Sequence, residues 1–263
     1  MTERPPAQAT IVVAFHRPCR LPEDALHLPV SVSGDACGTG HARDDGGENI
    51  ADKNPWYNEL TALYWAWKNL DAAHLGLAHY RRYFTLDPPL WGKERAWRSI
   101  LNREQALRLL ETQPIILPKA RRYYIETKYN QFARAHGEDA LCAARRVIQE
   151  RRPEYLPAWK TSMARTSGHI FNMFVMRRDL LDAYCAWLFD ILFATEDALQ
   201  KTPGGVAPRL MGFLGERLLD VWLETHTPRF VELPVVNTEG VNWPAKIGAF
   251  LLRKARGGKS NAS

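Results

Sequence analysis

The chain has 263 residues, 46% of them hydrophobic and 24% charged, which excludes bulk disorder and allows a substantial buried core. A formal charge of +6 turns it toward anionic partners: phosphates, nucleic acid or an acidic membrane face. The four cysteines, at positions 19, 37, 142 and 185, show no CxxC spacing, and no stretch resembles a signal peptide or a membrane span, so a cytoplasmic protein with reduced thiols is expected.

Residues 1 to 9 read as a loose terminus. Residues 10 to 15, TIVVAF, form a β-branched apolar strand that stops at His16-Arg17-Pro18, and a second strand is expected at 27 to 32. Residues 33 to 48 are rich in Gly and Asp, a loop able to close over a ligand. Their glycines match neither GxGxxG nor GxxxxGK[ST], so no dinucleotide fingerprint or P-loop is predicted. From 49 to 84 the chain reads as one supersecondary unit. Asn54 is expected to cap a helix opened by Pro55, with Trp56, Leu60, Leu63, Tyr64 and Trp67 on its core face. Asn58, Trp65 and Asn69 fall on the opposite face, with Glu59 at the boundary. A turn at 71 to 74 leads to Leu75-Gly76-Leu77-Ala78, a strand buried on both faces, which ends directly in His79, Tyr80, Arg81 and Arg82. Open α/β sheets bind ligands beyond the carboxyl ends of their strands, so this cluster sits where an anion would be held.

Downstream, a helix is predicted near 99 to 112 and a buried strand at 115 to 118, followed by the basic and aromatic turn Lys119, Arg121, Arg122, Tyr123, Tyr124. A helix at 129 to 151, an apolar segment at 169 to 176 interrupted by Asn172, helices at 178 to 197 and 212 to 225, and a strand near 229 to 236 complete the reading. Glu216 is expected to open the helix at 212 to 225. Strands alternating with helices predict an α/β fold with a mostly parallel sheet and a helical C-terminal half. Residues 10 to 243 are expected to form a single domain. The tail from 244 to 263, apolar and then basic, is either an amphipathic segment for an anionic membrane surface or a disordered terminus.

Three blocks carry a family resemblance: Asp44, Gly47, Glu48, Asn49 and Ile50; then Asn54, Tyr57, Glu59, Leu60, Thr61, Tyr64, Trp65, Trp67, Lys68 and Asn69; then Gly76, Leu77 and His79 to Phe84. Together they resemble bacterial exopolysaccharide and capsular polysaccharide biosynthesis proteins, long catalogued as a domain of unknown function and linked to glycosyl transfer. Weaker similarity extends the resemblance over residues 10 to 226, with Ser33-Gly34-Asp35 departing from the family's usual Val-Gly-Ala. The resemblance implies a GT-A-like fold, a mostly parallel central sheet flanked by helices. It also implies transfer of a sugar, galactofuranose or galactose, from a UDP-linked donor to a growing polysaccharide or lipid-linked acceptor at the inner face of the cell membrane.

GT-A enzymes commonly hold the donor diphosphate through Mg²⁺ or Mn²⁺ on an Asp-x-Asp at the end of a central strand. Here that position carries His79-Tyr80-Arg81. The expectation is therefore a metal-free site in which His79, Arg81 and Arg82 bind the diphosphate directly, arginine supplying a permanent charge and a bidentate fork. A Mg²⁺ or Mn²⁺ alternative would fall to Asp44, Asp45 and Glu48. His16, Asn49, Asn54, Glu59 and Tyr83 complete the expected donor site; Trp65, Tyr129 and Asn172 are the acceptor-side candidates, with His136 a weaker one. Glu216 is the expected base of an inverting reaction, deprotonating the acceptor hydroxyl, while a plain helix-capping or Arg217-pairing role stays open. The charge also admits a nucleic-acid-binding protein, which the scattering of cations over several strand ends disfavours, and a noncatalytic scaffold of a polysaccharide assembly complex.

Overall fold

β1 (Thr10–Phe15) sends Val12 and Ala14 into one buried cluster and Ile11, Val13 and Phe15 into another, the period-two pattern of a strand covered on both faces. The computed structural model describes residues 8–32, 34, 40–89, 91–202 and 204–239. Beside β1 lies β2 (His27–Ser31), parallel to it, and then β3 (Ala42–Arg43). A single 3-10 turn leads into α1 (Asn54–Tyr57) and α2 (Leu60–Asn69). β4 (His74–His79) then pairs parallel with the other side of β1, Ala14 opposite His79.

β4 turns tightly into β5 (Arg82–Phe84) through the antiparallel pair His79–Arg82. α3 (Lys93–Arg98) and α4 (Arg103–Leu110) follow, α4 starting at a capping box made by Asn102 and Gln105. The remaining elements are β6 (Ile115–Pro118), β7 (Arg121–Arg122), α5 (Lys128–His136), α6 (Asp139–Arg151), α7 (Leu156–Ala164), β8 (Ser167–Gly168), β9 (Phe174–Arg177), α8 (Arg178–Gln200), α9 (Leu210–His226), β10 (Val231–Leu233) and β11 (Val235–Asn237).

The main sheet runs β10-β6-β9-β4-β1-β2-β3, with β9 antiparallel to both neighbours and the other adjacent pairs parallel. Side chains of α2 and of the helical C-terminal half, α5 to α9, fill one face; α3 and α4 cover the other. The layout is the expected mostly parallel sheet flanked by helices. Gly76 lets β4 and β9 approach, since a β-carbon there would lie 2.5 Å from the Phe174 carbonyl oxygen.

Several elements are shorter than their apolar patterns predict, each for a local reason. The helix from Pro55 breaks at Asn58, whose φ is 50°. The helix expected over 129 to 151 divides at Gly137, with φ of 82°. Phe171 and Asn172 both have positive φ, so only the end of the 169 to 176 segment is a strand. The strand expected near 229 to 236 divides around Pro234, and its halves pair with β6 and β5. The tail at 244 to 263, Cys37 and Ser33 and Asp35 of the Gly/Asp loop lie outside the described residues. Among those described, no helix is long and apolar enough to cross a membrane.

Candidate active site

Strand register brings two basic strand ends together. Because Ala14 pairs with His79, His16 and Arg17 reach the same edge as Tyr80 and Arg81. The His16 ring meets Tyr80 edge-on at 5.3 Å, and the guanidinium carbons of Arg17 and Arg81 lie 5.2 and 5.7 Å from the same ring. A cleft of about 460 Å³ opens there, lined also by Asn54, Asn58, Glu59 and Arg209. A second chamber of about 230 Å³ shares Asn58, Glu59, His79, Arg81 and Arg209 with the first and adds Arg82, Arg121, Tyr123, Gln131, Glu216 and Arg217.

Asn58 and Glu59 line both chambers because α1 stops where it does. Asn54 does not cap the helix. Its side-chain amide donates to the Asn58 carbonyl and to Thr61 Oγ1, both at 3.2 Å, and the Thr61 backbone N–H donates to the Asn58 carbonyl at 3.1 Å. These bonds hold Asn58 at φ 50° and ψ −129°, a conformation that costs a non-glycine residue about 1–3 kcal/mol and recurs at functional sites.

The opposite wall is set by Phe171 and Asn172. Asn172, buried, donates to Glu59 Oε1 at 2.8 Å and to the Gly212 carbonyl at 3.0 Å, so it lies behind Glu59 and not on the cleft surface. The Phe171 ring carries Arg82 at 4.2 Å, and its backbone amide favours the charged form of the Glu216 carboxylate. Glu216 lies well inside α9, not at the helix start that its sequence context suggests. Its side chain keeps 18% of its exposure, all the rest being walled by protein. Burial raises the Glu216 carboxyl to about 7, the charge of Glu59 adds to the rise, and Arg217 and Arg82 oppose it. Burial raises Glu59 as well, against its hydrogen bond from Asn172.

Burial, and then the charges of Arg82 and Arg81, push the His79 imidazole down to about 3. His79 is therefore neutral, a hydrogen-bonding group and not the cation that its place in the basic cluster suggests. Its Nδ1 and the Arg81 Nε are buried without a hydrogen-bond partner among the described residues. Arg81 Nη1 lies 3.9 Å from Glu239, which also pairs with Arg17.

Besides Asn172, four sequence-expected residues lie off this cleft. Asn49 spends its side chain on the carbonyls of Asp45 and Gly47 and the amide of Ala51. Tyr83 is fully buried in the α3–α4 layer, its hydroxyl donating to the Tyr80 carbonyl at 2.9 Å. Trp65 packs against the core that covers the other face, and the Tyr129 hydroxyl faces Glu138 at 3.3 Å. His136 does line the second chamber, stacked on Phe213 at 4.2 Å.

Residues 10–227 match a family model described as "Domain of unknown function (DUF4422)". The chain belongs to the DUF4422 family. Among solved structures, this DUF4422 chain is similar to "WbbM bifunctional glycosytransferase apo structure" with a TM-score of 0.78 and 31% sequence identity, over 88% of this chain and 45% of that one. It thus spans less than half the length of that relative, and its fold is a GT-A-like glycosyltransferase fold. No curated protein matches the chain significantly.

Among the described residues of this DUF4422 chain, the carboxylates near the cleft are not arranged as a divalent-ion site. Asp45 pairs with Arg43, Glu48 bonds to Lys68 and Tyr64, and buried Asp44 accepts from Thr61, so these three do not converge. Glu59 and Glu216, which do face the cleft, stand among arginines that repel a second cation. Among the described residues no group of three or more His, Cys, Asp or Glu is placed to hold a metal. Sequence reasoning missed Arg209, Gln131 and the cleft-facing roles of Arg121 and Arg217. Only the basic turn after β6 gave a local signal for one of them.

Proposed function

We propose that this chain transfers a glycosyl group from a nucleoside diphosphate sugar, UDP-linked and carrying galactofuranose or galactose, to a saccharide or lipid-linked acceptor in cell-surface polysaccharide assembly. One observation carries this reading: a carboxyl that titrates near neutrality, Glu216, faces the same cleft as Arg81, Arg82 and Arg209 beyond the end of β4. Arginines suit the leaving diphosphate, and a base near pH 7 suits an acceptor hydroxyl.

In this mechanism the larger chamber takes the nucleotide, and Arg81 and Arg209, shared by both chambers, with Arg82 beside them, neutralise the diphosphate without a divalent ion. Neutral His79 adds a hydrogen bond to a phosphate oxygen. Glu216 takes the proton of the acceptor hydroxyl as that oxygen attacks the anomeric carbon. The bond from that carbon to the diphosphate oxygen breaks on the opposite face, its electron pair leaving with the nucleoside diphosphate, so the configuration inverts. Glu59, fixed by Asn172, orients Arg82 or a donor-sugar hydroxyl.

The test is thermal denaturation and transfer assay of the whole chain with UDP-galactofuranose and UDP-galactose, with and without EDTA. A ligand that prefers the native state raises its apparent stability. Stabilisation and turnover that survive EDTA are expected. Strict dependence on added Mn²⁺ would reject the metal-free mechanism, and steeply salt-dependent oligonucleotide binding with no response to nucleotide sugars would reject the activity.

A further inference from the structure

Arg217 is only 4% exposed, yet its guanidinium is largely unsatisfied. Nη2 donates to Gln131 Oε1, while Nε and Nη1 are buried with no hydrogen-bond partner among the described residues. The Glu216 carboxylate lies 3.7 Å from Nη1, an ion-pair separation beyond hydrogen-bond reach. A buried charged donor left in this state is unfavourable unless a ligand completes it. Arg217 lines the second chamber beside Tyr123, whose ring centre is 5.9 Å from the guanidinium carbon, and with exposed Arg121; none of the three lines the first chamber.

We infer that this end of the cleft binds an oxyanion, a carboxylate or a phosphate, carried by the acceptor and held by Arg217 and Arg121. Charge favours an anion over a neutral sugar: five arginines and two glutamates line the chamber. The donor diphosphate engages Arg81 and Arg209, which line both chambers, with Arg82 beside them in the second, which leaves Arg121 and Arg217 for a second negative group. The inference rests on the glycosyl-transfer reading in one respect: an acceptor whose hydroxyl reaches Glu216 enters the chamber that Arg217 and Arg121 also line.

The experiment is calorimetric titration of the whole chain, free and saturated with UDP, using methyl glucuronide, glycerol 3-phosphate and neutral methyl glucoside. At least ten-fold tighter binding of one anionic probe than of the glucoside is expected. That preference should disappear in Arg217→Gln and weaken in Arg121→Gln. Preference for the glucuronide assigns a uronic acid carboxylate, and preference for glycerol 3-phosphate assigns a phosphate. Equal binding of all three, or a preference that survives Arg217→Gln, overturns the inference. Should Arg217→Gln not fold, Arg217→Lys and the wild-type comparison still decide it. Failure of UDP to bind would count against the glycosyltransferase reading alone, since loss of the anion preference in Arg217→Gln reads the anion site independently.

Discussion

Asn172 donates a hydrogen bond to Glu59 across 2.8 Å and so ties the entry to β9 to the break between α1 and α2. The same amide satisfies the Gly212 carbonyl of α9, so one buried side chain joins three segments of the cleft wall. Asn172→Leu should lower stability by about 2 kcal/mol or more, because it takes the hydrogen bond from the half-buried Glu59 carboxyl, removes the second bond on the Gly212 carbonyl and places a bulky residue at φ 51°. Asn172→Gly tolerates that φ and isolates the lost hydrogen bonds; its urea midpoint should fall between those of Leu and wild type.

Glu216→Gln keeps the shape of the side chain and removes the base. Turnover should drop ~10²–10⁴-fold, with donor binding retained. The wild-type kcat/KM should rise with pH to a plateau, its limb centred near the Glu216 value of about 7, and that limb should be missing in the variant. An unchanged kcat would move the base elsewhere.

The same substitution should stabilise the free protein at alkaline pH. The unfolded carboxyl ionises near 4.5 and the folded one near 7, so the folded state holds the extra proton and loses stability as pH rises between these values. Above pH 7 the cost levels off at about 3 kcal/mol, from 1.36 kcal/mol per pKa unit. Glu216→Gln should therefore raise Tm at pH 8 and leave it nearly unchanged at pH 4.5, a trade of stability against activity at one residue.

The apolar runs of β1, β4 and β6 and the basic ends of the first two were legible because a doubly buried strand is a short apolar run and its end is a local event. The break at Asn58 was not, since Leu60 and Leu63 continue the helical period through it; the cause is the bonding of Asn54 and Thr61 to one carbonyl, which no periodicity reports. Asn49 and Tyr83 lie in the most distinctive sequence blocks, yet one organises a loop and the other fills the core. Arg209 and Arg217 reach the cleft from α9 and the residue before it, far downstream of β4, so only the folded chain shows them beside Arg81.

Arg81→Ala should weaken donor binding by roughly 10- to 100-fold, the effect of losing a charge-assisted hydrogen bond worth ~1.5–3 kcal/mol. Arg81 is one-third exposed and its contact with Glu239 is long, so the fold should survive, as a Tm close to wild type would show. Titration with UDP in EDTA reads the loss directly. An Arg81→Ala protein that binds UDP normally would remove the guanidinium from the diphosphate.

The last expectation concerns the buried network behind the second chamber. Asp220 accepts from Lys128, which is fully buried and also donates to Ser162 at 2.7 Å, and from His169 at 2.6 Å; His169 in turn faces Glu232 at 3.0 Å. Burial opposes ionisation of both Asp220 and His169. The His169 bond and the Lys128 charge outweigh it and lower Asp220, and the bonds to Asp220 and Glu232 raise His169. Asp220 thus contributes stability above its unfolded value of 3.8, lost as pH falls through its lower folded value. His169 contributes fully below its unfolded 6.5, and that part is lost as pH rises through its higher folded value. Both act together between about pH 4 and 6.5, and because Glu216 costs stability above about pH 4.5, thermal stability should peak toward the acid end of that window. Asp220→Asn leaves the Lys128 charge without its carboxylate and should cost about 3–5 kcal/mol, while adding Lys128→Met should recover part of that loss, because the unpaired buried charge goes with it. Denaturation midpoints of the single and double variants measure the difference, and equal midpoints would mean that Lys128 is not carrying a charge in the folded protein.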